Sequence, residues 1–482
     1  MEKLRKFLFV NTSTRQTIVK NTLWLFGGEI AGRLLKLAIV LFATRKLGVE
    51  GWGFFSYGLA FISLFFMLSD LGVNTFTARE MAKNEDEKYR YLSSSTIIKI
   101  SLLLLSLVIA LVIAPHFGKI RIGFEMIATL SILFLSDGIR EFALSINRSL
   151  QKMEREAFSK ILMNTIITVL GIVLITNHAT PLSLAIAYAT GSMVASLYIC
   201  WSIKDILRNV KWKISKADVR IIYDFSWPII AIGLFSFVFN IDAIMLGQMK
   251  STTEVGLYAA AQRLVQFTAI IPSFIGMSIF PIFSKNHTDK EKLTAIFEKI
   301  MILILAIGIP LAIGGFLLGT KIMPLIFGQT YISGGSTLSI LMISLLASFP
   351  NAILMNAIFA KNLQKIFITA TLFGVLVNIA LNFLLIPRYG TIGAALSVAV
   401  TQLLIMTINW QRLKKILSFS VVPRIGRIIA SCLIMAAGIL VLDGTGMSPI
   451  ITILIAIGIY GLSLYALREP ALDEILSLIK NS

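Results

Sequence analysis

Long apolar blocks separated by short polar stretches constrain this 482-residue chain more than any other feature of its sequence. A helix needs about 20 mostly apolar residues to cross the hydrocarbon core of a bilayer. Blocks of that length recur along the whole chain, of which 56% is hydrophobic and 14% charged. An average soluble domain carries about 25% charged residues. The pattern predicts an all-α polytopic membrane protein and excludes an ordinary soluble enzyme.

Fourteen blocks are long enough to be transmembrane helices. They cover about 18–44, 54–78, 95–115, 124–147, 161–176, 183–203, 221–247, 257–283, 300–318, 334–360, 366–386, 392–410, 428–442 and 450–467. No polar stretch between them exceeds about 20 residues, which leaves no room for a separate soluble catalytic domain.

The 44 Lys and Arg residues are distributed unevenly between the two sets of loops. With fourteen spans both termini lie on one side, and 32 basic residues fall on that side, 7 on the other and 5 inside the blocks. Cytoplasmic loops of membrane proteins collect Lys and Arg. We therefore expect a plasma-membrane protein with both termini in the cytoplasm. The same asymmetry explains the net charge of +19 without a nucleic-acid partner.

A weak internal repeat divides the first twelve blocks into two halves. Leu150-Gln151-Lys152 follows the fourth block and Leu363-Gln364-Lys365 follows the tenth, at an offset of 213 residues, and lysines after the sixth and twelfth blocks are 211 residues apart. Parallel six-helix halves occur in transporters. We predict an N-terminal six-helix lobe over 1–210, a C-terminal six-helix lobe over 211–416, and two additional helices with a short cytoplasmic tail over 417–482.

Charged residues inside the blocks are the best candidates for a functional site, because a charge at the bilayer centre costs at least about 2.5 kcal/mol. The candidate cations for a substrate cavity are Arg33, Lys36, Arg140 and Arg263. The candidate carboxylates, for ion coupling or for ion pairs, are Glu29, Asp70, Asp137, Glu141 and Asp242.

Helical spacing leaves two interpretations open for these charges. Glu29 and Arg33 share one helix face, and Asp137 shares another with Arg140 and Glu141, so both sets can also be structural ion pairs. Lys36 and Arg263 have no carboxylate one turn away on their own helices, which favours a place in a polar cavity.

Proline residues interrupt several blocks and can act as static kinks or as hinges. They are Pro228, Pro272, Pro281, Pro310 and Pro350. In the first block Gly28 and Gly32 form a GxxxG pair, which predicts close packing against another helix.

Motifs of soluble enzyme chemistry are missing from the sequence. There is no phosphate-binding G-x-x-x-x-G-K-[ST] loop and no G-x-S-x-G nucleophile motif. The three histidines are scattered, so their spacing forms no metal site. We therefore predict no enzymatic activity, no metal and no cofactor.

Short motifs in a fixed order carry a family resemblance. They are Leu47-Gly48, Gly53-Phe54-Phe55, Asp70-Leu71-Gly72, Asp242, Val255-Gly256-Leu257-Tyr258, Ala261-Gln262-Arg263 and Phe280-Pro281. In these motifs the chain resembles the polysaccharide-biosynthesis flippases, the O-antigen flippase-like branch of the multidrug/oligosaccharidyl-lipid/polysaccharide exporter superfamily.

The resemblance implies transport of a polyprenyl- or dolichyl-linked oligosaccharide from the cytoplasmic to the outer leaflet by alternating access. Such a cargo carries an anionic diphosphate, which the four candidate cations would bind. The carboxylates would carry a coupled H⁺ or Na⁺.

Two other functions are compatible with a chain of this class. A cation-coupled drug or metabolite antiporter of the same fold would have a cavity dominated by carboxylates and aromatic residues. A membrane-embedded glycosyltransferase or polymerase would show a large outer loop or an acidic metal motif, and the sequence has neither.

Overall fold

The structure is a computed structural model that describes residues 14–83, 87–113, 120, 122–286 and 288–469, with the backbone alone for 14–15, 18 and 227–240. Within these residues the chain forms seventeen α-helices, two short 3-10 helices and no strand. The predicted all-α class is confirmed.

Packing divides the chain into two compact units, Met1–Thr252 and Thr253–Ser482. The first unit contains α1 (Thr14–Asp70), α2 (Val73–Lys83), α3 (Lys88–Ile113), α4 (Phe124–Ser149), α5 (Met153–Asn177), α6 (Pro181–Ser202), α7 (Lys204–Leu207) and α8 (Lys216–Met249). The second unit contains α9 (Thr252–Thr268), α10 (Ile270–Lys285), α11 (Lys290–Phe327), α12 (Gly335–Ile343), α13 (Leu345–Ala360), α14 (Gln364–Tyr389), α15 (Thr391–Leu417), α16 (Gly426–Asp443) and α17 (Pro449–Ala466). The division at 210 and 416 stays a prediction.

Eleven helical stretches in the described residues are long and apolar enough to cross a membrane. One of them, Val19–Lys83, is 65 residues long and covers two predicted spans. Two predicted spans are helical but fall outside the eleven: α4 carries three charged residues near its middle, and α8 contains the 227–240 side chains, Pro228 among them, that lie outside the described set. The count of fourteen therefore stays a prediction.

A kink separates the two arms of α1. Gly48 has φ 66° and ψ −177°, a conformation that glycine adopts without the steric cost of a Cβ. The sequence motif Leu47-Gly48 thus lies where two helices meet at a kink, within the interruption that the apolar pattern predicts.

Close packing of α1 against α5 supports the charged residues described below. A Cβ on Gly28 would lie 2.7 Å from the Cβ of Ala157, and one on Gly32 would lie 3.1 Å from Nδ2 of Asn164. The packing role predicted for this GxxxG pair is confirmed. In the same unit, α4 packs against α6.

The helix α11 is the scaffold of the second unit. Its small residues allow close approach of α12 and α13: a Cβ on Gly308 would lie 2.9 Å from the ring of Phe349, and one on Gly315 2.3 Å from Met342. Two apolar clusters join α11 to α16 and α17. One contains Ala306, Ile309, Ile428, Cys432 and Leu464, and the other Leu318, Met435, Ile439 and Ala456.

The internal repeat appears in the structure as two equivalent turns. The left-handed residues Gln151 (φ 56°) and Asn362 (φ 57°) occupy the same place in the turns that follow α4 and α13. These residues are 211 positions apart. The ends of α4 and α13 are also 211 positions apart, and so are the starts of α5 and α14. The Leu-Gln-Lys match at an offset of 213 is therefore two residues out of register, and 211 is the structural offset.

Proline residues are accommodated in two ways. Pro281, Pro310 and Pro350 lie inside continuous helices. Pro272 follows a break at Ala269, where α9 ends and α10 begins.

Candidate functional site

A charged cluster joins α1 to α5 within the first predicted span. Glu29 accepts a hydrogen bond from Nε of Arg33 at 2.5 Å and forms an ion pair with Lys160 of α5. The side chains keep exposed fractions of 34% for Arg33, 23% for Glu29 and 37% for Lys160. Two cations thus share one carboxylate, and the cluster is positive and open to its surroundings.

A second pair ties the same two helices together nearer the start of α1. Lys20, almost fully buried, places Nζ 3.1 Å from Oε2 of Glu154 on α5. The pair is a second ionic contact between α1 and α5.

The second cluster joins α4 to α6 and is more enclosed. Arg140 is buried and contacts Asp137 at 3.1 Å and Glu141 at 2.8 Å. Ser192 of α6 donates its hydroxyl hydrogen to Oδ1 of Asp137 at 2.6 Å. The sequence predicts the contacts within α4, and the structure adds Ser192 as a partner from the neighbouring helix.

Asp70 belongs to a third, smaller group at the end of α1. Lys99 of α3 is buried and donates to the backbone oxygen of Ser69 at 2.9 Å, with Asp70 at 3.5 Å. Asp70 also accepts from the backbone N–H of Asn74 at 3.1 Å, which stabilises the turn into α2. The carboxylate is therefore held by both a cation and a helix start.

Three candidates remain, two in the first unit and one in the second. Lys36 is exposed on α1, and Asp242 is fully buried on α8. Arg263, in the second unit, is partly buried and donates to Oε1 of Gln266 on its own helix at 3.2 Å.

The second unit contains an uncharged polar seam that the sequence analysis missed. Asn409 of α15 donates to Asn351 of α13 at 2.8 Å, and Asn382 donates to Asn378 of α14 at 3.2 Å. All four side chains are buried. Their signal in the sequence is asparagine inside apolar blocks, which a search for charges does not detect.

The chemistry available at these clusters is recognition of charge. Guanidinium and ammonium groups beside carboxylates can exchange an internal partner for an external anion. Within the described part of the chain, no group of three or more His, Cys, Asp or Glu is placed to hold a metal ion.

Comparisons with known proteins agree with this architecture. A family model described as "Polysaccharide biosynthesis protein" matches residues 18–287, and a MatE model matches 228–384. A "probable low-salt glycan biosynthesis flippase" of Haloferax volcanii is 22% identical, over 96% of this chain and 99% of its own length. A "putative O-antigen transporter" of Shigella flexneri is 23% identical, over 80% of this chain and 96% of its own length.

Solved structures share the fold. The lipid II flippase MurJ, in an inward closed conformation, has a TM-score of 0.73 at 19% identity and covers 92% of this chain and 98% of its own. An inward-facing multidrug resistance MATE family transporter of the MOP superfamily has a TM-score of 0.67 at 16% identity, over 80% of this chain and 94% of its own. The predicted transporter fold is thus confirmed. The first family model matches more than half of the residues of this multi-pass membrane chain, and the chain therefore belongs to the polysaccharide biosynthesis protein family.

Proposed function

We propose that this chain is a flippase that moves a lipid-linked oligosaccharide or polysaccharide precursor from the cytoplasmic to the outer leaflet by alternating access. The observation that carries the proposal is the partly exposed cluster of Glu29 and Arg33, inside the first predicted span, with Lys160 next to the start of the fifth. Relatives named as a glycan flippase and an O-antigen transporter, matched over most of their length, support it.

The cost of placing charge in lipid argues for a polar surrounding at this cluster. Charged side chains within membrane spans face a water-filled space, a ligand or one another. Arg33 and Lys160 are each about one-third exposed even though they pair with Glu29. We infer that their open side faces the space through which a polar headgroup moves.

The proposed cargo has the complementary chemistry. A diphosphate loses hydration when it enters a membrane, and charge-assisted hydrogen bonds from cations offset that loss. Arginine binds phosphate oxygens through two parallel N–H donors, which suits Arg33 to this task. In the proposal the diphosphate takes over the donors that Glu29 now occupies.

Other charged residues have proposed roles that follow from their surroundings. Lys36 is exposed and Arg263 is partly buried, and both are proposed to add positive charge along the transport path. Arg140 is buried with two carboxylates, so we propose that it holds α4 in place through ion pairs. Asp70, Asp137, Glu141, Asp242 and Glu29 are proposed as carriers of a coupled H⁺ or Na⁺.

The proposed orientation places both termini in the cytoplasm of a plasma-membrane protein. The split of 32 basic residues against 7 between the two sets of loops supports it. The proposed cargo lipid is polyprenyl or dolichyl diphosphate, and the proposal includes no chemical step.

Flipping in liposomes tests the proposal. The purified protein is reconstituted with a fluorescent polyprenyl-diphosphate oligosaccharide, and an impermeant quencher reports the label in the outer leaflet. Wild-type protein should expose label that protein-free vesicles retain. Arg33→Gln should lower the rate about tenfold to a hundredfold, the range for a lost charged hydrogen bond.

Two variants separate substrate binding from structural pairing. Arg412→Gln changes an exposed arginine on α15 and should leave the rate unchanged. Glu29→Gln breaks the ion pairs but leaves both cations, so flipping without an ion gradient should be retained. Equal loss in Arg33→Gln and Glu29→Gln would show that the cluster only holds α1 to α5.

The MatE match over 228–384 favours one alternative, a cation-coupled antiporter of the same superfamily. The same vesicles distinguish it. Protein-dependent efflux of an organic cation driven by a proton or sodium gradient, without any exposure of the glycolipid label, would replace the flippase proposal.

A further inference from the structure

Pro310 interrupts the backbone hydrogen bonding near the middle of α11. A proline has no N–H, so the carbonyl of the residue four positions earlier loses its helical partner. That residue is Ala306, and its side chain is buried among apolar neighbours. A carbonyl left without a donor in such a place carries a free-energy cost comparable to a lost hydrogen bond.

The missing donor comes from another helix. The hydroxyl of Tyr460, on α17, donates to the backbone oxygen of Ala306 at 2.6 Å. The hydroxyl of Tyr460 thus binds the same carbonyl that loses its helical partner at Pro310.

The surroundings of Tyr460 extend along α11 on both sides of Pro310. Its side chain packs against the cluster around Ala306 and Cys432 and also against the cluster around Leu318 and Met435. Ala306 precedes Pro310 on α11, and Leu318 follows it. The opposite side of α11 is held close to α13, where a Cβ on Gly308 would come within 2.9 Å of Phe349.

We propose that Tyr460 is a positioning residue that fixes the conformation of α11 at Pro310 and thereby couples the last two helices, α16 and α17, to the transport cycle. When the hydroxyl is bound, the freed carbonyl is satisfied and α11 is held in its present conformation. When it is released, α11 gains freedom to bend at Pro310. The transport part of this inference rests on the proposed flippase function.

A double-mutant cycle tests the proposal. Tyr460→Phe removes only the hydroxyl and should lower the flipping rate about threefold to tenfold, the range for one hydrogen bond inside a membrane protein. The substrate concentration for half-maximal rate should not change. Pro310→Ala restores the N–H that Ala306 would bind in a regular helix. In that background Tyr460→Phe should change the rate by less than about twofold.

Tyr465→Phe is the matched control, because Tyr465 is exposed on the same helix. It should behave as wild type. An equal loss from Tyr460→Phe in both backgrounds would overturn the proposal, because the hydroxyl would then act independently of the proline. A wild-type rate in Tyr460→Phe would also overturn it.

Hydrogen–deuterium exchange gives a readout that needs no substrate. In the purified full-length protein, Tyr460→Phe should speed exchange in the peptide around 300–315, and Pro310→Ala should reverse the effect. If the wild-type protein fails to flip any glycolipid but the variants show these exchange changes, the flippase proposal fails while the coupling of Tyr460 to α11 at Pro310 stands. Unchanged exchange in Tyr460→Phe would refute the coupling.

Discussion

At the scale of single residues, Asp218 illustrates how a carboxylate outside the predicted spans stabilises the first unit. It lies at the start of α8 and is buried. Arg90 of α3 donates to its Oδ1 at 2.6 Å, and Ser94 donates to its Oδ2 at 2.7 Å. Burial by itself raises the pKa of this carboxyl, but the hydrogen bonds to its charged form outweigh burial and hold the pKa below its usual value.

The lowered pKa gives a pH-dependent prediction. A carboxylate with a depressed pKa stabilises the fold fully above its unfolded pKa of about 3.9, and the contribution is lost as pH falls toward the folded value. Asp218→Asn should lower the melting temperature at pH 7 by about 1–3 °C. The difference from wild type should stay constant down to about pH 5 and shrink below about pH 4. Asp224→Asn, an exposed change on α8, serves as the control. A pH-independent difference would contradict the assignment.

Contacts between residues of one helix could be predicted from the sequence, and contacts between helices could not. Glu29 with Arg33 and Asp137 with Arg140 follow from a fixed helical repeat. Lys160 lies on another helix, so its pairing with Glu29 depends on how α1 and α5 pack. No spacing rule contains that information.

At the scale of helices, the close contact of α1 with α5 depends on Gly28 having no side chain. A Cβ on Gly28 would lie 2.7 Å from the Cβ and 2.8 Å from the Cα of Ala157, so the backbones must separate to admit it. Gly28→Ala should destabilise the protein by about 1–3 kcal/mol, as overpacking does, and should reduce flipping because the two proposed diphosphate-binding cations, Arg33 on α1 and Lys160 on α5, move apart. Thermal unfolding and the liposome assay measure both effects.

The neighbouring glycine provides a control for this prediction. A Cβ on Gly27 would meet nothing within 4 Å, so Gly27→Ala should leave stability and flipping near wild type. Similar losses in the two variants would mean that helix flexibility, and not packing, explains the need for glycine.

Helix existence followed from apolar block length, but details of helix shape did not. Two helices meet at Gly48 with no loop between them, because a single residue with a positive φ redirects the chain. The repeat offset of 211 is set by the turns at Gln151 and Asn362. The Leu-Gln-Lys tripeptide was too short to give this offset, because the conformation of the turn does not depend on the identity of those three side chains.

At the scale of the whole molecule, the distribution of Lys and Arg makes the orientation testable. Asn209 lies between α6 and α8, in a loop assigned to the cytoplasm, and Thr445 lies between α16 and α17, on the opposite side. Both residues are exposed. Cys200 is half-buried and Cys432 buried, so replacing both with serine gives a background for single-cysteine labelling.

In intact cells, a membrane-impermeant maleimide should label Thr445→Cys and leave Asn209→Cys unlabelled until the membrane is opened. The reason is that the loops rich in Lys and Arg are retained in the cytoplasm during insertion. The reverse pattern would place the termini outside and make the 32 to 7 charge split an exception to that rule. Labelling of both positions from outside would contradict the odd number of predicted spans between 203 and 450, which is seven, from the seventh block to the thirteenth. An odd number is what puts the two positions on opposite sides, so this single comparison tests the topology and the direction of transport that depends on it.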